Sequence, residues 1–225
     1  MSLEIHITKT HHPIRWIVLI LIVAALGAAG WFGYKWYTTG EKPPLPIPLA
    51  AASDSVDETP VSDLQVSQYT VAEQKPRYIR IDTLNLANTR VQPVSLDDNN
   101  LLAYPANIHD AGWYQKSNTP GSGGVILLDG RSIGNTSAGP FKGLRALTFG
   151  SKIVLERGDG MVYSYSVVEN KDMTIDDVNT VGMKDMTKSA KPGVEALNII
   201  TDSGSWVPKL GMFDHRIMLR AILVN

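Results

Sequence analysis

The chain contains no cysteine. That absence excludes disulfides, cysteine-based zinc sites and any thiolate nucleophile. An excess of one charge is missing too. Lys and Arg number 21 against 22 Asp and Glu, a net charge of −1. Neither this balance nor any basic run points to a nucleic-acid partner. Internal repeats are absent, and so is the Gly-x-Ser-x-Gly pattern of serine hydrolases. No cofactor is expected, and no metal. Asp97-Asp98-Asn99-Asn100 reads as a turn, because a calcium loop needs more ordered ligands. Asp172, Asp176 and Asp177 read as a solvated acidic loop. What is present, 44% hydrophobic and 19% charged residues in 225, describes a globular chain with a core, in one domain plus extras or two small ones.

Residues 1–15 form a short polar head. Trp16–Tyr34 then runs nineteen residues without a charge. At a rise of 1.5 Å per residue it spans about 28 Å, close to the roughly 30 Å bilayer core. A transmembrane helix is therefore expected over 16–38. The run exceeds the apolar region of a cleaved signal peptide. Trp31, Phe32, Tyr34, Trp36 and Tyr37 at its far end suit an interfacial belt. Lys9 and Arg15 before the span and Lys35 and Lys42 after it leave charge bias nearly even. The short head and large following domain favour an inside N-terminus. Residues 39–75 read as a linker, with Pro43, Pro44, Pro46 and Pro48 stiffening it toward extended polyproline geometry. Leu64, Val66, Tyr69 and Val71 read as tether, with a packed strand or helix as the alternative.

From Pro76 to Asn225 the pattern is all-β. Strands are expected at Tyr78–Ile81, Val91–Leu96, Val125–Leu128, Lys152–Glu156, Met161–Val168, Ala196–Thr201 and Arg216–Val224. Val125–Leu128 is a continuous apolar run, the mark of a strand buried on both faces. Asp159-Gly160 supplies hairpin chemistry, and one short helix is expected at Pro140–Leu147. Seven or eight short strands suggest a closed barrel or a sandwich.

The most informative stretch is Leu197–Trp206. Leu197, Ile199 and Ile200 make a buried strand, and Thr201, Asp202, Ser203 and Ser205 crowd polar groups at its end, with Gly204 turning the chain. This order resembles the nucleophile strand of the sortases, bacterial cysteine transpeptidases of closed-barrel fold. Other segments fall in the family's order. Pro76–Ile81 looks like the entry strand, and Ala111-Gly112-Trp113-Tyr114 is similar to a segment of class F-like members, the chain as a whole resembling class F-like or class E-like sortases. Thr119-Pro120-Gly121 before Gly124–Leu127, and Phe141, Leu144 and Leu147 before Gly150, complete the likeness. It implies a catalytic His, Cys and Arg. Here Arg131, in Asp129-Gly130-Arg131, takes the His position. Asp202 takes the Cys position, and Arg216 keeps the Arg. The likeness also implies a single-pass bacterial plasma-membrane protein with its C-terminal domain outside.

Arg131 cannot act as acid or base, and a carboxylate is a poor attacker of peptide carbonyls. No catalytic residue is therefore expected, and Arg131, Asp202 and Arg216 form a vestigial site. Asp202 should lie near Arg131, Arg216 or both, in charge-assisted and even bidentate contact. The bland reading is a pair that fills a dead cleft. The functional one is a net positive site able to hold a peptide carboxylate or another anion. The chain then reads as a pseudoenzyme that binds or scaffolds an extended peptide or surface-protein tail. One alternative is an active transpeptidase or hydrolase with Ser203 as nucleophile and His215 as base. A second is a structural subunit of a cell-envelope assembly.

Overall fold

The computed structural model describes residues 13–39, 56–97 and 102–224. The polar head before Pro13, the prolines at 43–48 and residues 98–100 of the expected turn lie outside them. The chain divides into two compact units, one containing residues 13–39 and the other residues 50–205 and 212–225.

Helix α1, Pro13–Thr39, is 27 residues long. Its side chains at Leu19, Val23, Leu26 and Trp31 are exposed. Among the described residues no helix is long and apolar enough to cross a membrane. The structure thus gives a helix over the expected segment but not the transmembrane span.

In the second unit eight strands close into a barrel. They are β1 Pro76–Ile81, β2 Leu86–Val94, β3 Ala111–Tyr114, β4 Val125–Gly130, β5 Lys152–Arg157, β6 Val162–Thr174, β7 Ala196–Val207 and β8 Met212–Leu223. Their order around the barrel is β1-β2-β3-β4-β7-β8-β6-β5. The pairs β2–β3 and β4–β7 are parallel. Closure leaves no free sheet edge. The expected all-β class therefore holds, as a barrel and not a sandwich. The short helix expected at Pro140–Leu147 is only a single 3-10 turn, Leu144–Ala146. Phe141 and Leu144 are nonetheless fully buried.

Alternation along the strands sorts side chains onto two faces. Ile126, Leu128, Leu197, Ile199, Ile217 and Leu219 fill the barrel. Their neighbours Leu127, Ile200 and Met218 point outward, into a second cluster with Val178 and Met186 from the segment between β6 and β7. By the same period Asp129, Asp202 and Arg216 belong to this outer face. The strand order sets β4, β7 and β8 side by side, which brings those three residues together.

Residues 56–75 are more than a tether. Helix α2, Asp63–Gln68, has a full capping box from Ser62 and Gln65. The Tyr69 hydroxyl donates to the Val91 carbonyl at 2.6 Å, and Arg77 Nε to the Tyr69 carbonyl at 2.8 Å. The Glu58 carboxylate accepts the backbone N–H groups of Asn135, Thr136 and Ser137 and the Thr136 hydroxyl. These bonds outweigh the effect of burial and hold its carboxyl down at about 2 against an ordinary 4.5. Because the folded value is depressed, the resulting stability is complete above about pH 4.5 and is lost as pH falls toward 2. Glu58→Gln should cost about 1 kcal/mol at pH 7, solvent screening keeping it small. In urea unfolding the two proteins should converge near pH 2. A difference that persists there would assign the effect to packing and not to charge.

Candidate functional site

β7 runs past the polar cluster to Val207, so the expected chain reversal at Gly204 does not occur. Gly204 instead takes a left-handed conformation (φ 78°) within the strand. A Cβ there would lie 2.1 Å from Asp214 Oδ1. That carboxylate accepts the Ser205 N–H at 2.7 Å and contacts His215 Nδ1 at 2.8 Å. Thr201, on the inner face, donates to the Gly130 carbonyl at 2.8 Å and ties β7 to the end of β4.

Asp202 is 6% exposed. Arg216 Nη1 lies 3.2 Å from its Oδ1, and the Tyr104 hydroxyl donates to the same oxygen at 2.7 Å. The contact with Arg216 is single and not bidentate, because Nη1 also donates to the carbonyls of Phe213 and His215, at 3.0 and 2.9 Å. Arg131 takes a different partner. Its guanidinium carbon sits 4.6 Å from the centre of the Tyr104 ring, a cation–π contact. Tyr104 is thus the hinge of the cluster, stacked by Arg131 and bonded to Asp202. Burial pushes its hydroxyl well above the ordinary value, with the Asp202 charge adding to the effect. It therefore stays a donor.

Two residues of this site escaped the sequence reading. Tyr104 lies in the connection between β2 and β3, where no periodicity marks it. The buried Arg90–Asp110 pair, with bonds of 2.8 and 2.9 Å, holds the end of that connection. Asp129, which follows the apolar run Val125–Leu128, is the penultimate residue of β4 and 2% exposed. Burial, and then the neighbouring Asp202 charge, push its carboxyl well above the carboxylate range, against the pull of Arg131. Strand alternation from Leu127 was the signal that could have placed it.

Beside Asp202 opens a groove of about 340 Å³. Ser132, Phe141, Lys142, Arg145, Ser203 and Phe213 are among its lining residues. Arg145 is paired with Asp172. The Ser203 hydroxyl donates to Asp172 Oδ1 at 2.7 Å, and His215 is engaged by Asp214. Among the described residues no hydrogen bond joins Ser203 to His215, so the nucleophile–base contact that a serine mechanism needs is not formed. Among the same residues no three His, Asp or Glu side chains gather as a metal site.

This barrel, with the end of β4, the middle of β7 and the start of β8 converging on one outer patch, defines a sortase-type domain. The sortase domain family matches residues 79–224, and the chain belongs to the sortase family. Among solved structures it is similar to the lid mutant of Streptococcus agalactiae sortase C1. The identity there is 18% and the TM-score 0.50, over 73% of this chain and 76% of that one. It is also similar to the pilus-related sortase C of Group B Streptococcus, with 16% identity and a TM-score of 0.50 over 76% and 78%. Sortase A from Corynebacterium diphtheriae, lid mutant, gives 21% identity and a TM-score of 0.49 over 65% and 68%. No curated protein matches the chain. At these identities the likeness establishes the fold and not the chemistry.

Proposed function

We propose that this protein is a membrane-anchored, extracytoplasmic sortase-like pseudoenzyme that binds or scaffolds an extended peptide or surface-protein tail. One observation carries the reading. The side chain at the family's nucleophile position is a carboxylate, Asp202, held by both Arg216 and Tyr104. A carboxylate so engaged has little nucleophilic power toward a peptide carbonyl. The residue at the acid–base position is an arginine, which does not exchange a proton near neutral pH. The groove beside Asp202 remains open, so a site without turnover still offers a binding surface. The anchor rests on the uncharged run Trp16–Tyr34 and on the exposed apolar side chains of α1. The outside location follows from that anchor and from the size of the domain after it.

The test is peptide turnover by the full chain, with sorting-signal peptides and an amine acceptor, beside Asp202→Ala and Ser203→Ala. The expected result is no cleavage above background in all three. Turnover that is lost in either variant would make this an active enzyme with an oxygen nucleophile.

A further inference from the structure

Three buried polar atoms of the site have no hydrogen-bond partner among the described residues: both carboxyl oxygens of Asp129, and Nε of Arg131. Folded proteins rarely leave such atoms unmatched, and where they do a bound group or a functional role is the usual reason. The backbone is shaped to keep Asp129 where it is. Gly112 lies opposite it on β3, and a Cβ at that glycine would stand 2.1 Å from Asp129 Oδ1. The other charges nearby are matched, Asp202 by Arg216 and Arg145 by Asp172. Arg131 forms no ion pair among the described residues, and its guanidinium rests on the face of Tyr104. Lys142, on the groove wall, has none either. Arg131 is thus a cation held in place with a shielded, unused donor.

Building on the peptide-binding reading above, we infer that Arg131 and Asp129 together are the receptor for a carboxylate group carried by that extended peptide. A carboxylate offers two acceptor oxygens and a full negative charge. Arg131 supplies a charge-assisted N–H bond and neutralises it. Asp129 supplies an O–H, because a carboxyl buried without partners keeps its proton. An amide in the same place would satisfy one donor and leave the cation unneutralised. Ser132, which follows Arg131, and Asp202, whose charge acts on Asp129, both line the groove.

The charged and titratable groups around Asp129 set the pH response. They are Arg131 at the end of β4, Asp202 on β7 and Tyr104 from the β2–β3 connection. Arg216 on β8 acts through Tyr104 and Asp202. Gly112 on β3 brings none. With Asp129 protonated, two arginines face one carboxylate. Once Asp129 ionises, a second carboxylate faces the ligand's own. Binding is therefore tight near neutral pH, where the ligand's carboxyl is ionised, and weakens as rising pH ionises Asp129.

The experiment is calorimetric titration of the full chain in detergent micelles with an N-acetylated Ala-Ala-Ala-Thr peptide. The peptide is supplied as the free acid, as the C-terminal amide, and as that amide with aspartate for the last alanine. The free acid should bind at least about tenfold more tightly than the plain amide near pH 6, with the preference shrinking as pH is raised. Arg131→Gln should bring acid and amide level. Asp129→Asn, which still offers an N–H donor, should keep the preference and remove its pH dependence. The aspartate-containing amide matching the free acid would also support the receptor, with a side chain as the carboxylate source. Acid and amide binding equally would overturn the inference and leave peptide binding standing. Failure of every peptide to bind would overturn both. So would an acid preference that survives Arg131→Gln overturn the assigned receptor, and circular dichroism of each variant excludes unfolding as the cause.

Discussion

Arg216→Met is expected to lower the unfolding free energy by about 3 kcal/mol, the range seen when one partner of a buried ion pair is removed. The Asp202 side chain is 6% exposed and that of Arg216 15%, so little water reaches the pair. Without the guanidinium, Asp202 keeps the Tyr104 hydroxyl but faces a buried, uncompensated charge. The carbonyls of Phe213 and His215 lose the same donor. The readout is the urea midpoint at an unchanged slope. Replacing both partners, as Asp202→Leu with Arg216→Met, should recover most of the loss, because desolvating two charges consumes much of what their attraction supplies. A loss below about 1 kcal/mol in the single variant would place the pair in the regime of solvent-screened surface bridges.

The barrel was legible because its signals are local. Alternation in Pro76–Ile81, the unbroken apolar run of β4 and the Asp-Gly chemistry before β6 each act within a few residues. Strand ends were harder to place. β6 continues to Thr174 and β7 to Val207, well past their apolar stretches. In these tails neighbouring strands, not side-chain hydrophobicity, keep the backbone paired: Asn170 to Thr174 pair with Leu219 to His215 on β8. The cluster residues Arg131, Asp202 and Arg216 could be picked out by order along the chain. Their wiring could not. Which arginine meets Asp202 depends on Tyr104, a residue 98 positions away in sequence from that aspartate, and nothing short-range announces such a contact.

That difference changes what the altered site can do. Had both arginines closed on Asp202, the patch would be a self-satisfied plug with no capacity left for a ligand. The structure engages Asp202 with Arg216 and Tyr104 and leaves Arg131 stacked but unneutralised. The cluster therefore keeps a cation without a carboxylate partner next to Ser132 of the groove wall. Stabilising Asp202 and holding a ligand fall to different residues, which makes the two roles separable by substitution.

Gly112→Ala should be strongly damaging, costing about 3 kcal/mol, the upper part of the range for overpacked cores. The new Cβ would stand 2.1 Å from Asp129 Oδ1 and 3.1 Å from both Val94 methyls. The strand cannot retreat, since Gly112 is in register with Gln92 on one side and Asp129 on the other. The carboxyl must therefore leave its pocket or β3 must shift. Asp129→Ala removes the obstructing oxygens and with them a buried polar group lacking partners, so alone it should cost little. Combined, the two changes should be more stable than Gly112→Ala by about 2 kcal/mol, a coupling of the size expected for side chains in direct contact. Additive effects would mean that Val94 and not Asp129 resists the methyl. Strong coupling would instead tie the glycine of the Gly112-Trp113-Tyr114 segment to the acid it faces.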